Sequence, residues 1–335
     1  MTYKPDPSKL LAPQIKGPLI RKRLLRRMNG GAGRKMTIIQ GRAAQGKTTL
    51  AASYVTRSKI PFVWLNLGPE DSDPAGLFHL LVHGLGPYLP EEALPHLMAY
   101  PSLSFGPREA MPLYREWSNA IFDRVVGPLR IVFDGADQMP SDALSWQLLQ
   151  AMVEALPQSV HLLMLSRQPP PIDYDHLAQS PQARILGDSD LAFSILETKT
   201  FLRRHCGFEL SEEVLRKVQQ ITEGWIGGVI LFSQTLKVKF GESHPPMMDA
   251  IPLASFQTAV NRYLDDGRAG GNSPGDGDWC NRCNRGRPCR FLPRLSGRED
   301  GPVRRQMLFF GFQERGAAPV CANQSGQGGI FERLL

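Results

Sequence analysis

Cysteine is scarce, with five residues in a chain of 335, and the number is odd. That argues against a secreted disulfide scaffold, which depends on dense cysteine pairs. Long hydrophobic runs are missing too. None approaches the roughly 18 apolar residues that a membrane span requires. The N-terminus, MTYKPDPSKLLAPQ, has no basic-then-apolar leader, so export is not expected and a cytoplasmic chain is. Histidine is thin, at seven residues, and spacing alone supports no Cys–His or Ser–His–Asp set. Fixed-period repeats, which would signal a solenoid, are also lacking. What is present is ordinary for a globular protein: 42% hydrophobic and 21% charged residues, enough for a real core. The length suits one large domain or two.

Lysine, histidine, threonine and tyrosine all vanish after Gly267. The last 69 residues instead hold 13 glycines and 11 arginines against 6 carboxylates, which accounts for +5 of the chain's net +7. Basicity normally raises nucleic acid as a partner. Here no apolar period persists that could fold a groove-binding helix or ribbon. Residues 267–335 are therefore expected to be an irregular tail, out of frame or otherwise aberrant. Any DNA binding by its arginines would be weak, insensitive to sequence and lost with salt. Cys280, Cys283 and Cys289 invite a zinc reading, but zinc wants four ligands. No histidine lies beyond His244 and the only further cysteine is Cys321, so a zinc site is not expected. Cys206 and His161 read as core residues.

Residues 1–34 form a lead-in rich in Pro, Lys and Arg. Arg21, Lys22, Arg23, Arg26 and Arg27 surround Leu24 and Leu25, which suggests a short helix with a solvated basic face. The alternative is a segment beside a bound nucleotide. Residues 35–190 alternate apolar runs with helical patterns. Strands are expected at Lys35–Gln40, Pro61–Leu67, Leu129–Asp134, Val160–Ser166 and Ala183–Leu186. Helices are expected at Thr48–Arg57, from Asp73-Pro74 onward, at Arg108–Val126 and at Ser141–Leu156. Nearly continuous apolar strands alternating with helices mean an α/β fold with a parallel sheet covered on both faces. Residues 191–266 read as a small helical subdomain, with helices at Ile195–Cys206, Ser211–Thr222 and Gly227–Lys239.

Gly41-Arg-Ala-Ala-Gln-Gly46-Lys47-Thr48 fits G-x-x-x-x-G-K-[ST], between a strand and a helix as that motif requires. Such a loop turns backbone N–H groups toward a phosphate, and the helix N-terminus adds partial positive charge. The fold expected is thus that of a P-loop NTPase, with ATP or ADP and Mg²⁺ as cofactors. The candidate nucleotide contacts are Gly41, Gln45, Gly46, Lys47, Thr48 and Thr49. Lys47 would bridge the β- and γ-phosphates and the Thr48 hydroxyl would ligate Mg²⁺. Asp134 ends a buried strand at the edge where α/β sheets bind ligands, and is the second candidate for Mg²⁺. Asp137 is the next carboxylate able to face the γ-phosphate; the bland alternative is a turn-forming Asp. Arg167, after the strand Val160–Ser166, could report a γ-phosphate with its planar fork, or simply pair with a neighbouring Asp. Asp137 and Arg167 are the candidate catalytic pair.

The Walker A loop, the Asp134-Gly-Ala-Asp137 segment and the strand ending in Ser166-Arg167 resemble signal-transducing P-loop ATPases of the STAND class. More narrowly, the chain resembles the ATPase module of MalT-like, LuxR-type transcriptional regulators. The resemblance rests also on Pro13 through Leu25, Asp71-Ser-Asp-Pro74, Leu191-Ala-Phe193 with Glu197 and Phe201, and Gly224-Trp225-Ile226-Gly227-Gly228, and it covers roughly residues 10–265. It implies an extra strand between the Walker A and Walker B strands and an ATP/ADP switch tied to self-association. It also implies sensor and DNA-binding parts that this chain does not display, so no specific DNA binding is expected of it. Gly135 stands where many such relatives carry an acidic residue, so slow hydrolysis is expected. The alternative is a stand-alone AAA-type ATPase acting on nucleic acid.

Overall fold

The computed structural model describes residues 5–15, 17, 19–30, 33–99, 107–240, 258 and 260. The chain divides into two units, Met1–Ser273 and Pro274–Leu335, and every described residue belongs to the first. The expectations for residues 267–335, including the zinc reading of Cys280, Cys283, Cys289 and Cys321, lie outside the described residues, as does the side chain of Cys206.

Five strands build one sheet: β1 Met36–Gln40, β2 Phe62–Asn66, β3 Leu129–Asp134, β4 Val160–Ser166 and β5 Ala183–Leu186. Their order is β2-β3-β4-β1-β5 and every pairing is parallel. The strand between β1 and the Asp134 strand is β4, the insertion that the resemblance implied. Seven helices accompany the sheet: α1 Lys22–Asn29, α2 Lys47–Thr56, α3 Pro74–Leu85, α4 Leu94–Ala99, α5 Pro107–Phe122, α6 Ser145–Ala155 and α7 Tyr174–Gln179. A short α8 Asp188–Leu191 leads into α9 Ile195–Cys206, α10 Glu212–Thr222 and α11 Ile226–Phe240.

The pleat explains the two faces. Alternate residues Met36, Ile38, Ile131, Phe133, Leu162 and Met164 pack against apolar residues of α3, α5 and α6, among them Leu77, Leu81, Trp117, Leu148 and Met152. The intervening Ile39, Val132, Leu163 and Leu165 pack against Leu24 and Met28 of α1 and Leu50, Ala51 and Val55 of α2. Burying each such Leu, Ile or Val is worth about 1.5–3 kcal/mol. A third cluster, with Leu202, Val214, Val218, Trp225, Val229 and Phe232, is the separate core of α9–α11. Each of these three helices is short, and the first two are fixed at their starts: Ser194 accepts from Glu197 N–H and Ser211 from that of Val214. No helix among the described residues is long and apolar enough to cross a membrane.

The lead-in is bound rather than merely solvated. Arg21, only 6% exposed, donates to Glu197 and to the Ala192 carbonyl (2.9 Å), and its guanidinium stacks on Phe193 at 4.7 Å. Arg23 donates to the Asp190 and Ala192 carbonyls and to Glu197, while Arg27 pairs with Asp190. The basic face expected to be solvated therefore clasps the segment joining the sheet to the helical subdomain. Lys9 similarly ties the chain's start to Asp71 (2.5 Å) and Glu70 (2.6 Å).

His161 is a core residue at the amino edge of the sheet, with Nε2 2.9 Å from the Thr37 hydroxyl and its ring edge-on to Tyr54. Burial, then the Arg130 and Arg34 cations, pushes its pKa from 6.5 down to about 4. The folded protein holds the ring neutral, whereas the unfolded chain takes up a proton below about pH 6.5. Stability should therefore fall between about pH 6.5 and 4 by up to ~3 kcal/mol and then level off. Urea unfolding at stepped pH should show that slope in the wild type and a flatter one in His161→Gln; identical slopes would remove His161 as the cause.

Candidate functional site

The sheet register brings the site together before any side chain is considered. Gln40 is level with Ser166 and Asn66 with Asp134, so the loops after β1, β3 and β4 leave from one carboxyl edge. Gly41 N–H donates to the Ser166 carbonyl at 3.1 Å, joining the first loop to the last. Between Gly41 and α2, Ala44 takes φ 54° and Gly46 φ 80°. Gly46 caps α2 in the left-handed region with no side-chain acceptor for the helix's first N–H groups. Those groups have no partner within the helix, which makes this end suited to an anion.

Lys47 folds back along the loop, donating to the carbonyls of Gly41 (2.6 Å) and Arg42 (3.0 Å). Thr48 Oγ1 donates to Asp134, at 3.0 Å from Oδ2 and 3.2 Å from Oδ1. Thr49 is half-buried in the same turn. Gln45 is almost fully buried; its amide donates to the Asp188 carbonyl at 3.3 Å, and its Oε1 is a buried oxygen with no hydrogen-bond partner. Burial pushes the Asp134 carboxyl up to about 6, against the opposing pull of the Thr48 hydrogen bond and the Lys47 charge. A desolvated carboxylate beside a hydroxyl, both oxygen donors, is the kind of pair a hard divalent cation takes.

Gly135 follows Asp134 with φ 79°, and a Cβ there would lie 3.0 Å from the Leu67 carbonyl oxygen. The backbone itself thus disfavours the acidic residue that many relatives carry at this position. The chain then makes a short turn, Ala136–Gln138. Within it, Asp137 accepts from the Arg167 backbone N–H (3.0 Å, Oδ1) and from Arg167 Nε (2.8 Å, Oδ2). Asp137 and Arg167 are thus brought together as an ion pair, the bland alternative that the sequence left open for Arg167.

Two contributors were not foreseen. Asp188, just after β5, accepts from Arg42 N–H at 3.0 Å and braces the loop. The signal was available: an acid following a strand at the carboxyl edge, the same argument that singled out Asp134. The second is Trp225, which the sequence offers only as a family marker. Its indole N–H donates to the Ala43 carbonyl at 3.0 Å, while a Cβ on Gly227 would come within 3.0 Å of Ala44 Cβ. Gly224, φ 77°, makes this approach: its carbonyl accepts from Phe193 N–H at 2.7 Å, and a Cβ on it would sit 2.4 Å from the Phe193 carbonyl oxygen. The helical subdomain therefore rests directly on the loop between β1 and α2.

No family model matches the chain. It is 28% identical over 225 residues to the HTH-type transcriptional regulator MalT of Yersinia enterocolitica, covering 65% of this chain and 24% of that protein. The MalT of Serratia proteamaculans is 26% identical over 225 residues, with the same coverage, and that of Yersinia pestis 27% over 233 residues, covering 68% and 25%. This chain spans about a quarter of the length of these curated relatives. Among solved structures, a Signal Transduction ATPase with Numerous Domains carrying a tetratricopeptide repeat sensor, from Pyrococcus horikoshii, superposes with a TM-score of 0.46 at 15% identity, over 76% of this chain and 33% of that one. With loop, carboxylate and guanidinium at one sheet edge and these regulators matching about two thirds of the sequence, the chain carries a MalT-like module of the P-loop NTPase class.

Proposed function

We propose that the module is a signalling switch that binds ATP or ADP with Mg²⁺ at the loop between β1 and α2 and changes its self-association with the nucleotide. The observation that carries this reading is the convergence of the uncapped α2 N-terminus with Thr48 and Asp134, 3.0 Å apart. Gly41, Gly46, Lys47, Thr48 and Thr49 would surround the phosphates, with Gln45 behind them. Thr48 would ligate Mg²⁺ directly and Asp134 would hold it through water. When bound, Mg²⁺ would neutralise phosphate charge. Lys47 would exchange its two loop carbonyls for phosphate oxygens. Asp137 and Arg167 are the charged groups proposed to act at the terminal phosphate. The likeness to MalT-type regulators supports a role in transcription regulation for the protein that carries this module.

Hydrolysis is expected to be slow, below about 1 s⁻¹, the low end of ordinary enzymes. The residue after Asp134 is Gly135, whose backbone disfavours a second acid. Faster turnover by the chain alone would contradict this. Turnover strongly stimulated by DNA would favour an ATPase working on nucleic acid. Light scattering on a sizing column tests the switch: Mg-ATP should raise the molar mass relative to Mg-ADP, and equal masses would sink the self-association part of the proposal.

A further inference from the structure

We infer that Asp137 is the positioning residue for Arg167, so that discrimination between a nucleoside triphosphate and a diphosphate passes through this carboxylate. This rests on the nucleotide reading above and assigns a role within it. The geometry is unusual in using one carboxylate against both ends of one side chain. Oδ1 accepts the Arg167 backbone N–H at 3.0 Å and Oδ2 accepts its Nε at 2.8 Å. That closes a ring around the arginine stem and fixes the direction in which the guanidinium leaves the sheet edge. A lone arginine on a loop spreads over many rotamers, and ordering it costs up to about 2 kcal/mol. Asp137 meets that cost in advance. It is itself well held: its side chain is 12% exposed, on a turn entered through left-handed Gly135. Asp137 and Arg167 come from the loops after β3 and β4, which are neighbours in the sheet, so the pair spans two adjacent loops at the edge where Thr48 meets Asp134.

The same geometry argues against Asp137 as the base that would activate water. Each of its oxygens already accepts a hydrogen bond from Arg167, one from a guanidinium that is charged at every working pH. A base must point a lone pair at the proton it takes. Its work is orientation, and the group that would touch a third phosphate is the arginine.

The test is calorimetry on the full chain with Mg²⁺, using ADP and a non-hydrolysable ATP analogue. Wild type is compared with Asp137→Ala, Asp137→Asn, Arg167→Ala and the Asp137→Ala/Arg167→Ala double variant. Arg167→Ala should weaken the triphosphate about tenfold or more, the size of one hydrogen bond to a charged group, with a much smaller effect on ADP. Asp137→Ala should bring the same selective loss, and the double variant should be no worse than Arg167→Ala alone. Asp137→Asn, which keeps an acceptor for the backbone N–H, should fall between. Retained ADP binding certifies that each variant is folded. An unchanged triphosphate-to-diphosphate ratio in Asp137→Ala, or losses that multiply, would overturn the assignment. So would normal triphosphate affinity with lost single-turnover hydrolysis, which would mark a base instead. A wild type that binds ADP but not the triphosphate more tightly overturns the Arg167 role alone; one that binds neither overturns the nucleotide reading itself.

Discussion

Replacing Lys47 with alanine should cut the affinity for Mg-ATP at least tenfold in calorimetry, the largest effect expected of any single side chain at the loop. The ammonium can supply charge-assisted hydrogen bonds to phosphate oxygens, each worth about 1.5–3 kcal/mol net. Part of that is offset here, because Lys47 already donates to the carbonyls of Gly41 and Arg42. Binding exchanges neutral acceptors for charged ones, so the net loss should correspond to about one such bond rather than two. Equal affinity in wild type and variant would contradict the loop as the phosphate site. A fall in affinity that came with general unfolding would not support it either, so the variant's urea midpoint belongs in the same experiment. Only the loop's two internal hydrogen bonds are lost, and a change within about 1 kcal/mol is expected.

Trp225→Ala should have the largest effect on stability, about 3–5 kcal/mol by the usual cost of emptying a buried aromatic site. The side chain is 2% exposed and sits among Leu215, Val218, Val229 and Phe232 in the separate core of the helical subdomain. Its indole N–H is also the hydrogen bond from that core to the P-loop, at Ala43. Two effects should therefore separate. Trp225→Phe keeps most of the packing and loses the bond, so it should cost less in urea unfolding while still weakening nucleotide binding. Similar stability losses in the two variants would mean that packing contributes little. Unchanged nucleotide affinity in both would mean that the subdomain does not reach the loop energetically.

Much of the site was legible because it is local. The loop from Gly41 to Thr48 lies in one stretch between a strand and a helix, and period and motif locate it together. Asp134 was found because a buried run that ends in a carboxylate has few bland explanations. The sheet's order was not legible from periodicity, since every strand is apolar; the place of β4 came from resemblance. The clasp of Arg21 on Glu197 joins residues 176 positions apart, and no pattern within α1 distinguishes an arginine bound to a distant acid from one in water. The same holds for Trp225 and Ala43, 182 apart. Gly135 illustrates a different limit. The sequence shows only that an acid is absent there; the positive φ and the nearby Leu67 carbonyl give the physical reason. Short α4 and α7 escaped because six residues carry too little period to register.

The account stands or falls on whether the loop between β1 and α2 holds a nucleotide through Thr48 and Asp134. The direct measurement is a calorimetric titration of ADP into the purified, folded chain, with Mg²⁺ and with the metal chelated. The account expects one nucleotide per chain, bound more tightly with Mg²⁺, and an Asp134→Ala variant that loses the Mg²⁺ dependence. A folded chain that takes up no nucleotide under either condition, or binds it identically with and without Mg²⁺, would contradict the account.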